Sequence, residues 1–258
     1  MLKNICFGIV LVFGYMSTAY AEVKISACHG NGGYPPYHFT NPQEPRNPEM
    51  IGVSIDLAKA IFAKLSIDLE IKALPWKRCF NSAKEGRGFD MIIDGSFKAD
   101  RQAFFAYTSK MHVLNPAVAV RQDSKWAQSE MLKATDLKDA IICSNRGTNL
   151  VPYGFTNDQI STRASGVKQG LYMVDSKRCD GYLTLYQVFN GHYRYGNEDV
   201  LPDSLVIRKF ETDKTFDLHF MVSKTRSDAD ELATKINKVL AEIHKDGSLD
   251  LLWNSYLN

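Results

Sequence analysis

The chain of 258 residues carries 31 Lys and Arg against 29 Asp and Glu, with 45% hydrophobic residues and 5 cysteines. So even a balance, without a basic block, excludes a charge-driven nucleic-acid binder. Beyond the N-terminus no stretch is apolar enough to cross a bilayer as a helix, and the length suits two compact lobes of roughly 100 residues or one larger domain.

In chain order, residues 1–21 read as a cleaved export signal. Lys3 supplies the basic region, residues 5–13 the short apolar core and Ala19-Tyr20-Ala21 the cleavage site, so the exported chain is expected to begin at Glu22. Cys6 lies inside the apolar core and no cysteine follows the cut, so a lipid anchor is not expected. Cys28, Cys79, Cys143 and Cys179 remain. An even number in an exported chain argues for disulfides, with three pairings open. Cys28 with Cys79 and Cys143 with Cys179 is favoured, because each pair then lies within one half of the chain. No C-x-x-C spacing supports a zinc or thioredoxin-like site.

Residues 23–28 read as a strand that His29-Gly30-Asn31-Gly32-Gly33 stops. Tyr34-Pro35-Pro36-Tyr37-His38-Phe39 follows as a stiff aromatic loop, suited either to presenting Tyr34 and Tyr37 or to covering the core. Residues 41–48 are polar and proline-rich, an exposed loop. Leu57, Ala58, Ile61, Phe62 and Leu65 share a helical face with Ser54 as N-cap, and Ile67, Leu69, Ile71 and Ala73 alternate as a strand. Trp76, Cys79, Phe80 and Ala83 are again spaced for a helix, which Gly86 or Gly88 can end.

Phe89-Asp90-Met91-Ile92-Ile93-Asp94-Gly95-Ser96 then reads as a buried strand whose C-terminal end faces a crevice, with Arg101 close behind. A guanidinium there can clamp a carboxylate with two parallel hydrogen bonds. The same residues also suit a turn with a surface Arg paired to Asp100 or Asp94. Strand, helix, strand, helix, strand implies a mostly parallel sheet.

The second half repeats the device. Residues 140–143 form a short strand ending at Ser144-Asn145-Arg146-Gly147-Thr148-Asn149, after which a helix near Val151-Pro152 would give Gly147 and Thr148 an anion-binding turn. Residues 161–165 read as a strand and Val167, Leu171 and Val174 as a helix face. Arg178-Cys179-Asp180 leads into a strand much as Arg87-Gly88-Phe89-Asp90 does. Residues 216–222 alternate as a strand, Ser227 caps a long helix over Leu232, Ile236, Val239, Leu240 and Ile243, and Leu249, Leu252, Trp253 and Tyr256 form a closing helix.

The export signal, Tyr34-Pro35-Pro36-Tyr37, Gly52-Val53-Ser54-Ile55-Asp56-Leu57, Trp76-Lys77-Arg78, the stretch from Asp90 to Arg101, Arg146-Gly147-Thr148, Arg178-Cys179-Asp180 and Lys245-Asp246-Gly247 together resemble the periplasmic solute-binding proteins of family 3. These are the binding components of polar amino acid ABC importers. The resemblance implies an α/β, two-lobed, type II periplasmic-binding-protein-like fold, each lobe a mostly parallel sheet flanked by helices, joined by two hinge strands. Lobe 1 would be residues 22–117 and 219–258, and lobe 2 residues 118–218.

It further implies a periplasmic monomer without cofactor. A small polar, carboxylate-bearing ligand would be trapped by hinge closure and passed to a membrane permease, or reported to a membrane sensor. Arg101 matches the arginine that holds the ligand carboxylate, one residue closer to Asp90 than is usual. Gly95 and Ser96 match the strand end that offers hydrogen bonds, Tyr34, Tyr37 and Trp76 the aromatic wall, and Gly147 and Thr148 the lobe 2 turn. Leu185, beside Thr184, stands where an acid usually receives the ligand ammonium, so Asp94 or another acid takes over or the ligand is not an ordinary α-amino acid.

The rival is an exported dehydratase-like enzyme of the same fold, with Asp94, Asp180 or a buried Glu as acid or base. H-E-x-x-H and G-x-S-x-G are missing. His29, His38, His112, His192, His219 and His244 are scattered without metal spacing and read as surface or structural. A binding protein, not an enzyme, is therefore the reading carried forward.

Overall fold

The protein is described by a computed structural model covering residues 24–41, 49–195 and 202–257; the expected export signal, Cys6 and all but the first residue of the 41–48 loop lie outside the described residues, as does the His192 side chain. The elements run β1 (Lys24–Gly30), β2 (Phe39–Thr40), β3 (Met50–Ile51), α1 (Val53–Lys64), β4 (Asp68–Leu74), α2 (Trp76–Lys84), β5 (Met91–Ser96), β6 (Phe105–Tyr107), β7 (His112–Leu114) and β8 (Pro116–Arg121). They continue with β9 (Met131–Leu132), β10 (Ile142–Asn145), β11 (Ile160–Ala164), α3 (Val167–Asp175), β12 (Gly181–Leu185), α4 (Tyr186–Tyr195), β13 (Leu205–Phe210), β14 (Phe216–Ser223), α5 (Ala229–Lys245) and α6 (Ser248–Leu257).

Two six-stranded sheets organise these elements into two lobes, in the orders β4-β1-β5-β14-β6, with β7 also on β14, and β11-β10-β12-β8-β13-β9. Each begins with three parallel strands followed by one antiparallel strand, β14 in lobe 1 and β8 in lobe 2. The chain changes sheet between Leu114 and Pro116 and returns between Phe210 and Phe216. These short crossings leave two covalent links between the lobes, and Tyr37, Leu114, Phe216 and Leu218 beside them carry the lobe 2 core into lobe 1.

The common plan extends to side chains. Just before β5, Asp90 accepts a hydrogen bond from Ser26 N (2.9 Å) and donates its own N–H to Ser26 O (2.8 Å). Just before β12, Asp180 does the same with Ile141 N (2.9 Å) and Ile141 O (2.7 Å). The disulfides follow the same symmetry: Cys28 joins Cys79 and Cys143 joins Cys179, with Cα separations of 5.8 and 6.0 Å, the pairing favoured from sequence.

In lobe 1, α1 and α5 bury Leu57, Ile61, Phe62, Ile236, Leu240 and Ile243 against Met91, Ile93, Phe220 and Val222, while α2 sets Cys79 and Ala83 against Ile92 and Met221 on the other face. The tail closes this lobe as expected, with Leu249 in the core and the Tyr256 hydroxyl donating to Asp56 (2.7 Å).

Several local expectations are corrected. β1 runs past Cys28 to Gly30, because His29 and Gly30 pair with Ala73 and Leu74; glycine keeps its backbone hydrogen bonds wherever a partner strand continues. Ser54 does not cap α1: Gly52 holds that position, and the Ser54 hydroxyl turns inward to Asp94. The strand expected at 140–143 is β10, shifted toward the crevice end by its pairing with β11. No α-helix follows Thr148; the chain makes a single 3-10 turn at Val151–Tyr153. α5 begins after Asp228 rather than Ser227.

Candidate ligand-binding crevice

The C-terminal ends of β1 and β5 in lobe 1 face those of β10 and β12 in lobe 2, the edge where open α/β sheets hold ligands. The lobes meet here. Asn149 donates to the Phe97 carbonyl (3.2 Å), and a Cβ on Gly166 would stand 3.8 Å from Gly32 O. α4 presses Gly191 onto the Pro35 carbonyl, where any side chain would overlap it.

Arg101 ends a 3-10 turn, Ala99–Arg101, directly after β5. Its Nη1 donates to Ser96 O (3.0 Å) and Ser96 Oγ (3.3 Å), which orients the fork. The guanidinium lies 5.1 Å from the Phe80 ring and 5.8 Å from the Trp76 ring, a cation over aromatic faces. Burial lowers its pKa, opposed by Tyr107 and Asp100, yet a guanidinium remains charged. The alternative pairing with Asp100 or Asp94 is not formed: Asp100 holds Lys98 (2.7 Å) and Asp94 holds His38 (2.6 Å). Among the described residues no carboxylate pairs with Arg101.

β5 reaches this point through a bulge. Asp94 has φ +63°, and a Cβ on Gly95 would run into the Met221 sulfur of β14, so only glycine fits beside that strand. Asp94 is thereby turned inward, 8% exposed, with one carboxylate oxygen on His38 Nδ1 (2.6 Å) and the other on Ser54 Oγ (2.7 Å). Burial alone would raise its pKa; the His38 hydrogen bond and charge, His112 and Ser54 together hold it below the usual value.

Three of the scattered histidines therefore converge, and all three are buried: His29, His38 and His112. The His29 ring lies 4.7 Å from His38, and burial, then His38, push its pKa down to about 4. His112 is lowered to about 4 by burial, and among the described residues both of its ring nitrogens lack hydrogen-bond partners.

The aromatic residues divide. Tyr34 stacks on His38 (5.5 Å between centroids, 7° between planes) and packs on the lobe 2 core, burial pushing its pKa to about 12. Trp76 is half-buried under Gly147, where the φ of +81° and a Cβ position 2.9 Å from Trp76 Cδ1 both require glycine. Tyr37 lies deeper, wedged against His112 (5.0 Å) and Trp253 (5.5 Å) near the crossings.

In lobe 2 the Thr148 hydroxyl donates back to Asn145 O (2.9 Å), and the Thr184 carbonyl accepts from Tyr153. Leu185 is buried in the lobe 2 core. Asn145, at the end of β10, has a buried Oδ1 without a partner among the described residues. His38, Ser54, Phe80, Asn145 and Asn149 were not expected as site residues: from sequence Ser54 was an N-cap, Phe80 part of a helix face, Asn145 and Asn149 parts of the turn after a strand, and His38 surface or structural.

The sequence matches the pattern of the bacterial extracellular solute-binding proteins, family 3, over residues 28–258. The chain belongs to that family. It is 22% identical over 219 residues to the L-cystine-binding protein TcyA of Bacillus subtilis (strain 168), covering 84% of this chain and 75% of that protein. Its fold is that of the substrate-binding protein of an amino acid ABC transporter, with TM-score 0.74 and 22% identity over 91% of this chain and 99% of that one. A histidine kinase sensor domain with similarity to periplasmic binding proteins superposes as well, with TM-score 0.74 and 19% identity over 91% and 96%. The arginine-, lysine-, histidine-binding protein ArtJ from Geobacillus stearothermophilus gives 0.71 and 17% over 91% and 95%. No helix among the described residues is long and apolar enough to cross a membrane.

Proposed function

We propose that this solute-binding protein holds a small amino acid or related compound between its lobes, with the ligand carboxylate on Arg101, and delivers it from the periplasm to the permease of an ABC importer. The observation that carries the reading is the Arg101 fork: oriented by Ser96, laid over Phe80 and Trp76, free of any carboxylate among the described residues, and placed where the lobes meet. Tyr34 and Trp76 form the wall, the Gly95–Ser96 strand end lines lobe 1, and Gly147, Thr148 and Thr184 stand at the lobe 2 strand ends. Tyr37 serves the hinge side and Asp94 acts through His38.

In this reading residues 1–21 are the cleaved signal, and the exported chain is a monomer. Its lobes turn about residue 115 and residues 211–215, a few positions before the 117/118 and 218/219 boundaries expected from sequence. The chain binds without turnover, since Asp94 and Asp180 are held by His38 and Ser54 and by a strand backbone, and no Glu among the described residues is buried to serve as the third candidate acid. The test is to denature the purified exported protein, identify any released compound by mass spectrometry, and titrate the refolded protein by calorimetry with L-cystine, L-arginine and L-glutamine. Saturable heats with a shift in melting temperature are expected. Turnover of prephenate-like compounds without such binding overturns the reading in favour of an enzyme.

A further inference from the structure

A ligand amine beside a carboxylate held by Arg101 needs an acceptor, and among the described residues the carboxylates near the crevice are already engaged. Both oxygens of Asp94 are on His38 and Ser54, Asp100 holds Lys98, and Asp90 and Asp180 bind backbone N–H groups just before β5 and β12, away from the strand ends that line the crevice. An ionised carboxylate only accepts hydrogen bonds, so the proton of the 2.6 Å Asp94 contact sits on His38 Nδ1; with that one proton on the ring, the other nitrogen, Nε2, is an acceptor. That Nε2 has no partner among the described residues and faces Gly30, where a Cβ would stand 4.0 Å from it and 3.8 Å from Trp76 Cβ. Glycine at this position leaves the nitrogen open beside the crevice tryptophan. Tyr34, stacked at 5.5 Å, and Asp94 together fix the ring plane.

We propose that His38 Nε2 receives the α-ammonium of the bound ligand, with buried Asp94 as the negative charge behind it. The inference rests on the amino acid reading above. A carboxylate pointed straight at the crevice would bind any cation; relayed through an oriented imidazole, the same charge demands a hydrogen-bond donor in one direction. Asp94 is a positioning residue in this arrangement and His38 the contact. The titratable and charged groups facing His38 are Asp94 from β5, His29 from β1 and Tyr34 from its own loop, with His112 of β7 next to Asp94.

The test compares L-arginine, L-glutamine and L-cystine with their des-amino counterparts by calorimetry. The parent is expected to favour the amino compound by about tenfold or more. His38→Asn keeps a donor where Nδ1 stands and removes Nε2; it is expected to erase that preference while its ligand-free melting point stays near the parent's. His38→Gln, whose amide reaches the Nε2 position, is expected to recover part of it. A preference unchanged in His38→Asn overturns the inference and leaves the amino acid reading intact. If no compound of the panel binds the parent, the amino acid reading falls and this inference with it. Should His38→Asn not fold, a nitrogen NMR spectrum of the parent decides: the His38 Nε2 resonance must move when the amino compound binds and stay in place when its des-amino partner does, and equal shifts overturn the assignment.

Discussion

Gly147 of lobe 2 faces the Trp76 indole of lobe 1 so closely that a Cβ there would stand 2.9 Å from Cδ1. The contact exists only while the lobes meet, so it belongs to the closed arrangement. Gly147→Ala adds a methyl at this contact and a strained φ worth about 1 kcal/mol. The expected result is a loss of affinity of about tenfold and a larger radius of gyration by small-angle scattering. Unchanged affinity and scattering would remove this contact from the liganded state.

Arg101→Ala is expected to weaken binding by about a hundredfold, since a charge-assisted, two-pronged contact is lost. Arg101→Lys keeps the charge but not the fork, so it should recover less than tenfold. Calorimetry with the best ligand of the panel checks both. Parental affinity in Arg101→Ala sinks the clamp.

The disulfides close segments of 51 and 36 residues, one in each lobe. Chain-entropy arguments give each about 4 kcal/mol as an upper figure. Cys28→Ser with Cys79→Ser, and separately Cys143→Ser with Cys179→Ser, should each lower the melting temperature by several degrees, and a reductant, which breaks both bonds, should lower the parent's by about their sum. A reductant-insensitive melting point would show that neither bond forms in solution.

Stability should fall in two acid steps. His29 and His112 have folded-state pKa values near 4, below an unfolded value near 6.5, so the unfolded chain binds more protons between those limits and stability drops as pH falls from about 6.5 to 4. At pH 5 this amounts to about 2 kcal/mol for each histidine. Asp94 is also depressed, so its contribution is present above its unfolded pKa and is lost only as pH falls further, through its folded value. Urea unfolding at pH 7 and pH 5 measures the first step, and His112→Phe should reduce it. An identical pH dependence in that variant would show that His112 is not buried neutral.

What the sequence disclosed was local. The run from Met91 to Ser96 followed by Arg101, the helical spacing of Leu57, Ile61 and Phe62, and the even cysteine count each carry their meaning within a few residues or a simple parity. The His38–Asp94 contact spans 56 positions, and no periodicity announces it. α4 was missed because Tyr186–Tyr195 holds Asn190, Gly191 and several aromatics, poor helix formers that become helical by burying Val188 and Phe189. β13 was missed because it is partly exposed and takes its place from pairing with β8 and β9, both remote in sequence.

The two crossings also make lobe 2 a removable insert. Its first and last strands lie side by side, with Ala117 opposite Lys209, while the flanking residues of lobe 1, Leu114 and Phe216, are themselves neighbours across a ladder. A two-residue turn joining Leu114 to Phe216 would therefore complete the lobe 1 sheet without lobe 2. Lobe 1, by contrast, waits for about the last sixth of the chain to be synthesised before β14 and α5 can close it, so the chain can assemble its interior segment before its outer one.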